Sequence, residues 1–247
     1  MSDTLNILIL GGTSEARELA ARLVALGHRV TTSLAGRTSQ PALPAGELRV
    51  GKFGGVPGLV GYLRALRFDR LVDATHPYAG LISINAVAAA RQSGIPLVRF
   101  MRPAWTEPEG AHWVRVRDVA NAAAALPHNA TALITTGHEG LEALLARDDC
   151  RLIVRLIEPP EFVVPRHVQL VLDRPPYSLA HELALFRRHD VTALVTKNSG
   201  GEQTAAKIEA ARELGAQVIV IDRPVYGPAR EVRSVDEAVD AVAGTIG

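Results

Sequence analysis

The fold is decided first by the segment LNILILGGTSEA, Leu5–Ala16. Its first half is a short apolar run of the kind that forms a buried strand, and its second half has two glycines followed by residues that cap helices. From Ser14 to Leu26 an apolar stripe recurs at helical spacing, and Gly27 ends it. The segment therefore predicts a strand, a glycine turn and a helix.

The same alternation of short apolar runs and helical stretches continues to the end of the chain, which is typical of an α/β fold with a parallel sheet. The stretch Arg102–Gly110 has two prolines, a glycine and no periodicity. We therefore predict two domains, residues 1–107 and 108–247. The predicted strands are Leu5–Leu10, Arg29–Leu34, Leu48–Val50, Arg70–Asp73, Leu97–Phe100, Trp113–Val116, Ala132–Thr135, Arg151–Leu156, Ala193–Thr196 and Gln217–Ile221.

Composition restricts the class of protein. The 247 residues, 47% of them hydrophobic, are enough for one large core or two compact ones. With 27 basic and 26 acidic residues, the net charge of +1 favours neither nucleic acid nor an anionic membrane as a partner. We find neither a signal peptide nor an apolar run of about 18 residues, which a membrane span needs. The single cysteine, Cys150, excludes an internal disulfide and a cysteine-cluster metal site, so we expect a cytoplasmic protein without a metal.

The turns between strands and helices are the candidate ligand sites. In parallel α/β sheets, helix N-termini at these turns present N–H groups and a positive dipole end. The turn Gly11–Glu15 offers two glycines for close backbone approach and the hydroxyls of Thr13 and Ser14. It predicts a cradle for a pyrophosphate, although it does not match GxGxxG, and a glycine turn with an ordinary Ser or Thr cap explains it equally well.

The end of the second strand distinguishes between cofactors. An NAD-binding unit places an Asp or Glu there, about 20 residues after the glycine turn, to bind the ribose hydroxyls. Here the sequence is SLAGRT, Ser33–Thr38, which has a hydroxyl and the guanidinium of Arg37 where a 2′-phosphate would lie. The pattern indicates NADP, and a solvated loop arginine is the structural alternative.

Two further turns in the first half have candidate residues. The segment GKFGGVP contains Gly54 and Gly55 before a predicted helix, so it is either a second close approach to the cofactor or a flexible loop. The segment DATHPYA, Asp73–Ala79, ends a strand and has Pro77 where a first helical turn tolerates it. This directs His76 to the crevice, where it is a candidate for contact with the cofactor, for proton transfer, or for simple capping.

The second half repeats the arrangement. The segment TTGHEG, Thr135–Gly140, is again a strand end, a glycine turn and a helix start. The segment TKNSGGEQT, Thr196–Thr204, brings a lysine, an amide, hydroxyls and two glycines to a helix start, which predicts an anion nest for a carboxylate-rich substrate. A well-capped helix is the alternative, and the absence of GxxxxGK[ST] argues against ATP hydrolysis.

Taken in order, GGTSEA, SLAGRT, GKFGG, DATHPYA, TTGHEGL, TKNSGG and IDRP (Ile221–Pro224) resemble the precorrin-6A reductase family of cobalamin biosynthesis across nearly the whole chain. The resemblance implies two Rossmann-like domains with parallel sheets and an active site in the interdomain cleft. It also implies a monomeric oxidoreductase of corrin metabolism. Such an enzyme transfers a hydride from NADPH to a ring double bond of precorrin-6A to give precorrin-6B.

The resemblance assigns residues by position. For the proton transfer, our own hypothesis takes His76 and Lys197 as candidate catalytic residues, and solvent is the alternative proton donor. The implied cofactor-binding residues are Gly11, Gly12, Thr13, Ser14 and Glu15 at the phosphates and ribose, Ser33 and Arg37 at the 2′-phosphate, and Gly54, Gly55, Thr75, His76, Pro77 and Tyr78 nearer the nicotinamide. The residues implied to face the carboxylate arms of the tetrapyrrole substrate are Lys197, Asn198, Ser199, Gly200, Gly201 and Thr204.

The chain departs from the family pattern at two places in its second half. His138 stands where the family commonly has an arginine, and Pro175–Tyr177 replace a GPF triplet before the helix that contains Glu182. The residues leave open whether the substrate ring carries cobalt, and we favour the metal-free form. Two other classes remain: an NADP-sensing module, which would not need the Lys197 turn, and a cofactor-free tetrapyrrole lyase or synthase, which would not need Arg37.

Overall fold

The computed structural model describes residues 4–36, 43–161 and 163–244. It consists of two compact units, residues 1–102 with 225–247, and residues 103–224. Up to residue 102 the elements are β1 (Asn6–Leu10), α1 (Ser14–Ala25), β2 (Arg29–Leu34), β3 (Glu47–Val50), α2 (Val56–Ala65), β4 (Arg70–Asp73), α3 (Gly80–Ser93) and β5 (Leu97–Phe100). The later elements are β6 (Trp113–Val116), α4 (Val119–Ala125), β7 (Thr131–Ile134), α5 (Leu141–Leu145), β8 (Arg151–Leu156), β9 (Val168–Leu172), α6 (Leu179–His189), β10 (Ala193–Lys197), a 3₁₀ turn (Glu202–Thr204), α7 (Ala206–Glu213), β11 (Gln217–Ile221), β12 (Arg230–Val232) and α8 (Val235–Ala243).

Each unit contains one six-stranded parallel sheet. The strand order is β12-β5-β4-β1-β2-β3 in the first unit and β6-β11-β10-β7-β8-β9 in the second. In both, the chain passes outward from a central strand to one edge and then continues on the other side of that strand. The order therefore reverses between β1 and β4 and between β7 and β10, and open α/β sheets bind ligands at the carboxyl ends of such switch points. The α/β fold with parallel sheets is confirmed in both units.

The strands of the first unit are covered by helices on both faces. Ile7 and Ile9 of β1 pack with α1 and α8, whereas Leu8 and Leu10 pack with α2 and α3. Burial on both faces explains why β1 appears in the sequence as a nearly uninterrupted apolar run. The apolar stripe of α1 faces this core, and its buried residues are Ala16, Leu19, Ala20 and Leu23.

The structure corrects the predicted division of the chain. We expected residues 108–247 to form one domain, but β12 pairs with β5 of the first sheet, with Arg230 opposite Val98. The residues of α8 pack into the same core, so the chain returns to the first unit after residue 224. β12 has three residues and one buried side chain, which is too short a pattern to detect from the sequence.

Two smaller differences concern element boundaries. β9 was not predicted, because it is an edge strand with half-exposed and exposed residues along its length. α3 begins at Gly80, and Pro77 lies in the preceding turn, so His76 is not adjacent to a first helical turn.

Membrane spans and metal clusters are both absent from the described residues. None of their helices is long and apolar enough to cross a bilayer. None of their His, Cys, Asp and Glu side chains form a group of three or more that could hold a metal ion.

Candidate functional site

Thr13 joins the two turns that meet at the switch point of the first sheet. Its hydroxyl donates to the carbonyl of Ala74, at 2.9 Å, and accepts the N–H of Ala16, at 3.1 Å. One side chain therefore caps α1 and ties it to the turn after β4. The first N–H groups of a helix have no intrahelical acceptor, so this tied helix start is suited to an anion.

The two glycines of the first turn have different functions in the fold. A Cβ at Gly11 would lie 2.7 Å from Cγ2 of Thr32, so glycine allows the turn to pack against β2. Gly12 has a φ of +119°, which favours glycine, and no described atom lies within 4 Å of where its Cβ would be. The backbone at Gly12 is thus open to a bound group. An open glycine backbone beside a capped helix start fits the pyrophosphate of a dinucleotide.

An ion pair lies next to this turn. Oε1 of Glu15 accepts Nη1 of Arg102 at 2.8 Å, and Oε2 accepts the hydroxyl of Ser14 at 3.0 Å. Burial alone would raise the pKa of Glu15, but the hydrogen bond and charge of Arg102 outweigh it and hold the pKa below its ordinary value. The negative charge of Glu15 is therefore compensated beside the helix start. Sequence reasoning missed Arg102 because it lies in the Pro-rich segment taken for a linker.

A shallow depression opens at these strand ends, and it is too small to enclose a dinucleotide. Its lining residues are Thr13, Glu15, Thr75, Pro77, Phe100 and Arg102. The structure thus brings the predicted residues of the first and fourth turns together.

The turn after β4 is held by its own hydrogen bonds. Oδ1 of Asp73 accepts the hydroxyl of Thr75 at 2.7 Å, and the carbonyl of His76 accepts the N–H of Ala79 at 2.8 Å. The His76 ring is exposed, and its Nδ1 accepts the N–H of Tyr78 at 3.3 Å. This hydrogen bond assigns the proton of the neutral imidazole to Nε2.

A buried network supports the same turn from the C-terminal segment of the first unit. Arg99 is 1% exposed, and its Nε lies 3.6 Å from Oδ2 of Asp73. Its Nη1 donates to the carbonyl of Gly227 at 3.0 Å. The hydroxyl of Tyr226 donates to the carbonyl of Pro77 at 2.8 Å. The returning chain therefore stabilises the turn that contains His76, a connection that the sequence pattern does not reveal.

The ends of β2 and β3 form the other side of the candidate cofactor site. Ser33 is buried, and its hydroxyl accepts Nη1 of Arg49 at 3.2 Å. Arg37, the predicted partner of a 2′-phosphate, lies outside the described residues. Gly54 and Gly55 have positive φ values of 77° and 90° and follow β3. Because β3 and β4 lie on opposite sides of β1, these glycines and the His76 turn follow strands on opposite sides of the sheet centre.

The switch point of the second sheet contains the predicted lysine turn. Lys197 ends β10, and its Nζ lies 3.8 Å from Oε2 of Glu139 in the turn after β7. The side-chain amide of Asn198 is bonded to the backbone of Trp105, accepting its N–H at 2.8 Å and donating to its carbonyl at 3.1 Å. A Cβ at Gly200 would lie 2.0 Å from the carbonyl oxygen of Pro103.

The predicted substrate residues therefore lie close together in sequence and space, but they do not all have the same role. The carbonyl of Gly201 accepts the indole N–H of Trp105 at 3.2 Å, so the segment around Trp105 holds the loop at two points. Ser199 is buried, and Thr204 ends the 3₁₀ turn. Asn198 uses its amide within the protein, whereas the ammonium of Lys197 lies beside an exposed carboxylate.

A buried ion pair at the end of β8 was not predicted. Nη1 of Arg155 donates to Oε1 of Glu182 at 2.9 Å, and these side chains are 4% and 0% exposed. The guanidinium lies 4.0 Å from the ring centroid of Tyr177. Burial raises the pKa of Tyr177 to about 12, so its hydroxyl stays protonated and donates to the carbonyl of Asp173 at 3.0 Å.

The similarity of this protein to known proteins extends over nearly the whole chain. A family model described as "Precorrin-6x reductase CbiJ/CobK" matches residues 6–243. A precorrin-6A reductase from Rhodococcus erythropolis is 47% identical over 239 residues, which cover 96% of each chain. A cobalt-precorrin-6A reductase from Priestia megaterium is 29% identical over 252 residues, covering 96% of this chain and 97% of its own. A solved structure titled "CobK precorrin-6A reductase" has a TM-score of 0.91 and 38% identity, with 98% of each chain covered.

Proposed function

The chain belongs to the precorrin-6x reductase family, and from this premise we propose that it uses NADPH to reduce a ring double bond of precorrin-6A, giving precorrin-6B in cobalamin biosynthesis. The observation that supports this most is the 47% identity to a precorrin-6A reductase over almost the whole of both chains. The identity to a cobalt-precorrin-6A reductase is 29%, which favours the metal-free substrate over the cobalt form.

Residues of the first unit would hold the cofactor. A bound nicotinamide cofactor supplies the hydride that such a reduction needs. Gly11–Glu15 would bind the pyrophosphate, because this turn combines an open glycine backbone with a capped helix start. Ser33 stands where NAD-binding units have an acid, and with Arg37 it would bind the 2′-phosphate. The residues Thr75–Tyr78, which follow β4, would contact the nicotinamide half of the cofactor.

His76 and Lys197 are the proposed reactive side chains. The Nδ1 of His76 accepts the N–H of Tyr78, so in the neutral imidazole the donor of this exposed ring is its Nε2–H. We propose that this N–H contacts the nicotinamide half or delivers the proton that must follow the hydride. Lys197 would bind a carboxylate arm of the substrate, with Ser199 and the glycine backbone beside it. Asn198 would act indirectly, by shaping the loop through Trp105.

An anaerobic assay with purified precorrin-6A tests the proposal. We expect NADPH absorbance to fall in proportion to the precorrin-6A added. Oxidation should be slower when NADH replaces NADPH, and also when cobalt-precorrin-6A replaces precorrin-6A as the substrate. Replacement of His76 by Gln should lower kcat while the NADPH Kd stays within about twofold, if the side chain acts in proton transfer. NADPH binding without oxidation would instead identify a sensing module.

The same preparation tests the proposed monomeric state. Light scattering after size-exclusion chromatography should give the mass of one chain, with and without NADPH. A stable dimer mass would contradict it.

A further inference from the structure

Arg49 occupies a fixed position at the ends of β2 and β3. In the parallel pairing of these strands it lies directly opposite Ser33. Its Nη1 donates to the Ser33 hydroxyl at 3.2 Å and to the carbonyl of Gly51 at 2.6 Å, and its Nη2 donates to the carbonyl of Lys52 at 2.9 Å. The guanidinium also stacks on Phe53, 3.8 Å from the ring centroid. These four contacts hold the group in one orientation.

Among the described residues, no neighbouring acid neutralises the charge of Arg49. Its hydrogen-bond acceptors are neutral oxygens, and no carboxylate in the described part of the chain forms an ion pair with it. The better-buried arginines differ: Arg99 lies beside Asp73, and Arg155 is bonded to Glu182. Three of the five N–H donors of the Arg49 guanidinium have acceptors among the described residues, so donors remain for a ligand.

We propose that Arg49 is a specificity-determining residue for the 2′-phosphate of NADPH, acting together with Ser33. This inference rests on the proposed function. The end of β2 is where a dinucleotide-binding sheet contacts the adenosine ribose, and Ser33 is at that position. A guanidinium that donates to the Ser33 hydroxyl is close enough to share a phosphate with it. Planar guanidinium groups bind phosphate through short charge-assisted hydrogen bonds.

The stacking on Phe53 further restricts the guanidinium of Arg49. A guanidinium already fixed by three hydrogen bonds and an aromatic face loses little further freedom when it binds a phosphate. Arg37 is the cation that the sequence pattern suggests for the same phosphate, and Arg49 would be a second one. Sequence reasoning could not assign Arg49, because its approach to Ser33 depends on the pairing of β2 with β3.

The test compares two nucleotide fragments that differ only in the phosphate. Calorimetric titration of the full chain with 2′,5′-ADP and with 5′-ADP measures the contribution of the 2′-phosphate directly, without turnover. For Arg49→Gln we expect the affinity for 2′,5′-ADP to fall about tenfold to a hundredfold, and that for 5′-ADP to change less than about threefold. Arg49→Lys should retain part of the preference, because it keeps the charge and loses the planar fork.

Arg64→Gln is the matched control. Arg64 is an exposed residue of α2 that donates to the carbonyl of Gln92, so its replacement removes an arginine charge without changing either affinity. Circular dichroism melting of each variant verifies that the fold is retained. The Arg49→Lys data decide the question if Arg49→Gln melts early.

The outcomes separate the inference from the proposed function. An equal loss of both affinities in Arg49→Gln, or no loss, overturns the role of Arg49. If the wild-type chain binds both fragments equally and does not oxidise NADPH with precorrin-6A, the proposed function itself fails. If the wild type prefers 2′,5′-ADP and only Arg37→Ala removes that preference, the function stands and the role of Arg49 does not.

Discussion

Five strands have the same order in the two sheets, and the sixth, at the edge, comes last in the chain of the first unit (β12) and first in that of the second (β6). The shared strands nevertheless differ in chemistry at corresponding strand ends. β8 lies beside the central strand of the second sheet as β2 does in the first, and Arg155 is the fifth residue of β8 as Ser33 is of β2. Arg155 stacks on Tyr177 and is neutralised by Glu182. At the corresponding corner of the first unit, Arg49 stacks on an aromatic ring and contacts only neutral oxygens among the described residues.

The turns after the central strands β1 and β7 also differ, and again the first unit has the better site for an anion. α1 has 12 residues and a Thr13 cap. α5 has 5 residues, follows Gly140 in the left-handed region, and has no side-chain cap among the described residues. A short helix without a cap presents a weaker site for an anion. Two sheets that share the order of five strands thus differ at corresponding strand ends. One end is suited to a phosphate and the other holds an arginine neutralised within the protein, so the fold alone does not assign the cofactor.

The largest expected effect comes from removing one partner of the buried Arg155–Glu182 ion pair. Glu182→Ala leaves the buried guanidinium of Arg155 without its counter-charge, and we expect the second unit to lose about 3–5 kcal/mol of unfolding free energy. The only tryptophans of the chain, Trp105 and Trp113, both lie in that unit, so their fluorescence during urea denaturation reports this loss.

The double variant Arg155→Met with Glu182→Leu is the control. It removes both charges and fills a similar volume, so it should be much more stable than Glu182→Ala. If both variants are equally destabilised, then packing around these side chains matters and the buried charge does not.

A second pair of variants tests which unit binds the cofactor. Gly12 and Gly137 both have positive φ and lie in the turns after the central strands, with no described atom within 4 Å of either Cβ position. Alanine at either site should cost about 1 kcal/mol of stability. Only Gly12→Ala should weaken NADPH binding, by about tenfold or more, because it obstructs the proposed phosphate site. Equal binding losses would contradict the assignment of the cofactor to the first unit.

Local sequence patterns were sufficient for elements whose signal is contained in a few residues. The ten predicted strands are present, because each is a short apolar run bounded by turn residues. The pattern also placed the turns of Gly12 and His76 correctly at the carboxyl ends of β1 and β4. It lacked the exposed edge strand β9. It also lacked β12, whose place in the first sheet depends on pairing with a strand more than a hundred residues earlier.

Long-range contacts also limited the prediction of the site. Arg102 is paired with Glu15, 87 positions away, and Arg155 with Glu182, 27 positions away. The turn composition of TKNSGG indicated hydrogen-bonding groups but not which of them are used internally, as the amide of Asn198 is by Trp105. Side-chain partners set by sheet register or by chain return have no local signature.

The turn that contains Lys197 should contribute to substrate binding and not to cofactor binding. We expect Lys197→Met to raise the KM for precorrin-6A about fivefold, through loss of one charge-assisted contact, with the NADPH Kd unchanged. Glu139→Gln removes the neighbouring negative charge and should leave KM unchanged or lower it. If both variants raise KM equally, the Lys197–Glu139 pair shapes the loop and does not bind a carboxylate arm.

The smallest expected effect concerns the free energy of unfolding and its dependence on pH. It distinguishes Glu15, in the turn after β1, from Glu139, in the turn after β7. The pKa of Glu15 is lowered from its ordinary value of 4.5, so its pairing with Arg102 stabilises the fold above that pH and is lost as the pH falls through the lowered pKa. Both side chains are partly exposed, so Glu15→Gln should cost about 1 kcal/mol or less at pH 7. The difference from wild type, followed by circular dichroism in urea, should shrink below about pH 4.5.

The Glu139 side chain is 77% exposed and 3.8 Å from its cation, so Glu139→Gln should show a smaller difference at pH 7. A difference for Glu15→Gln that grows on acidification would contradict the ion pair.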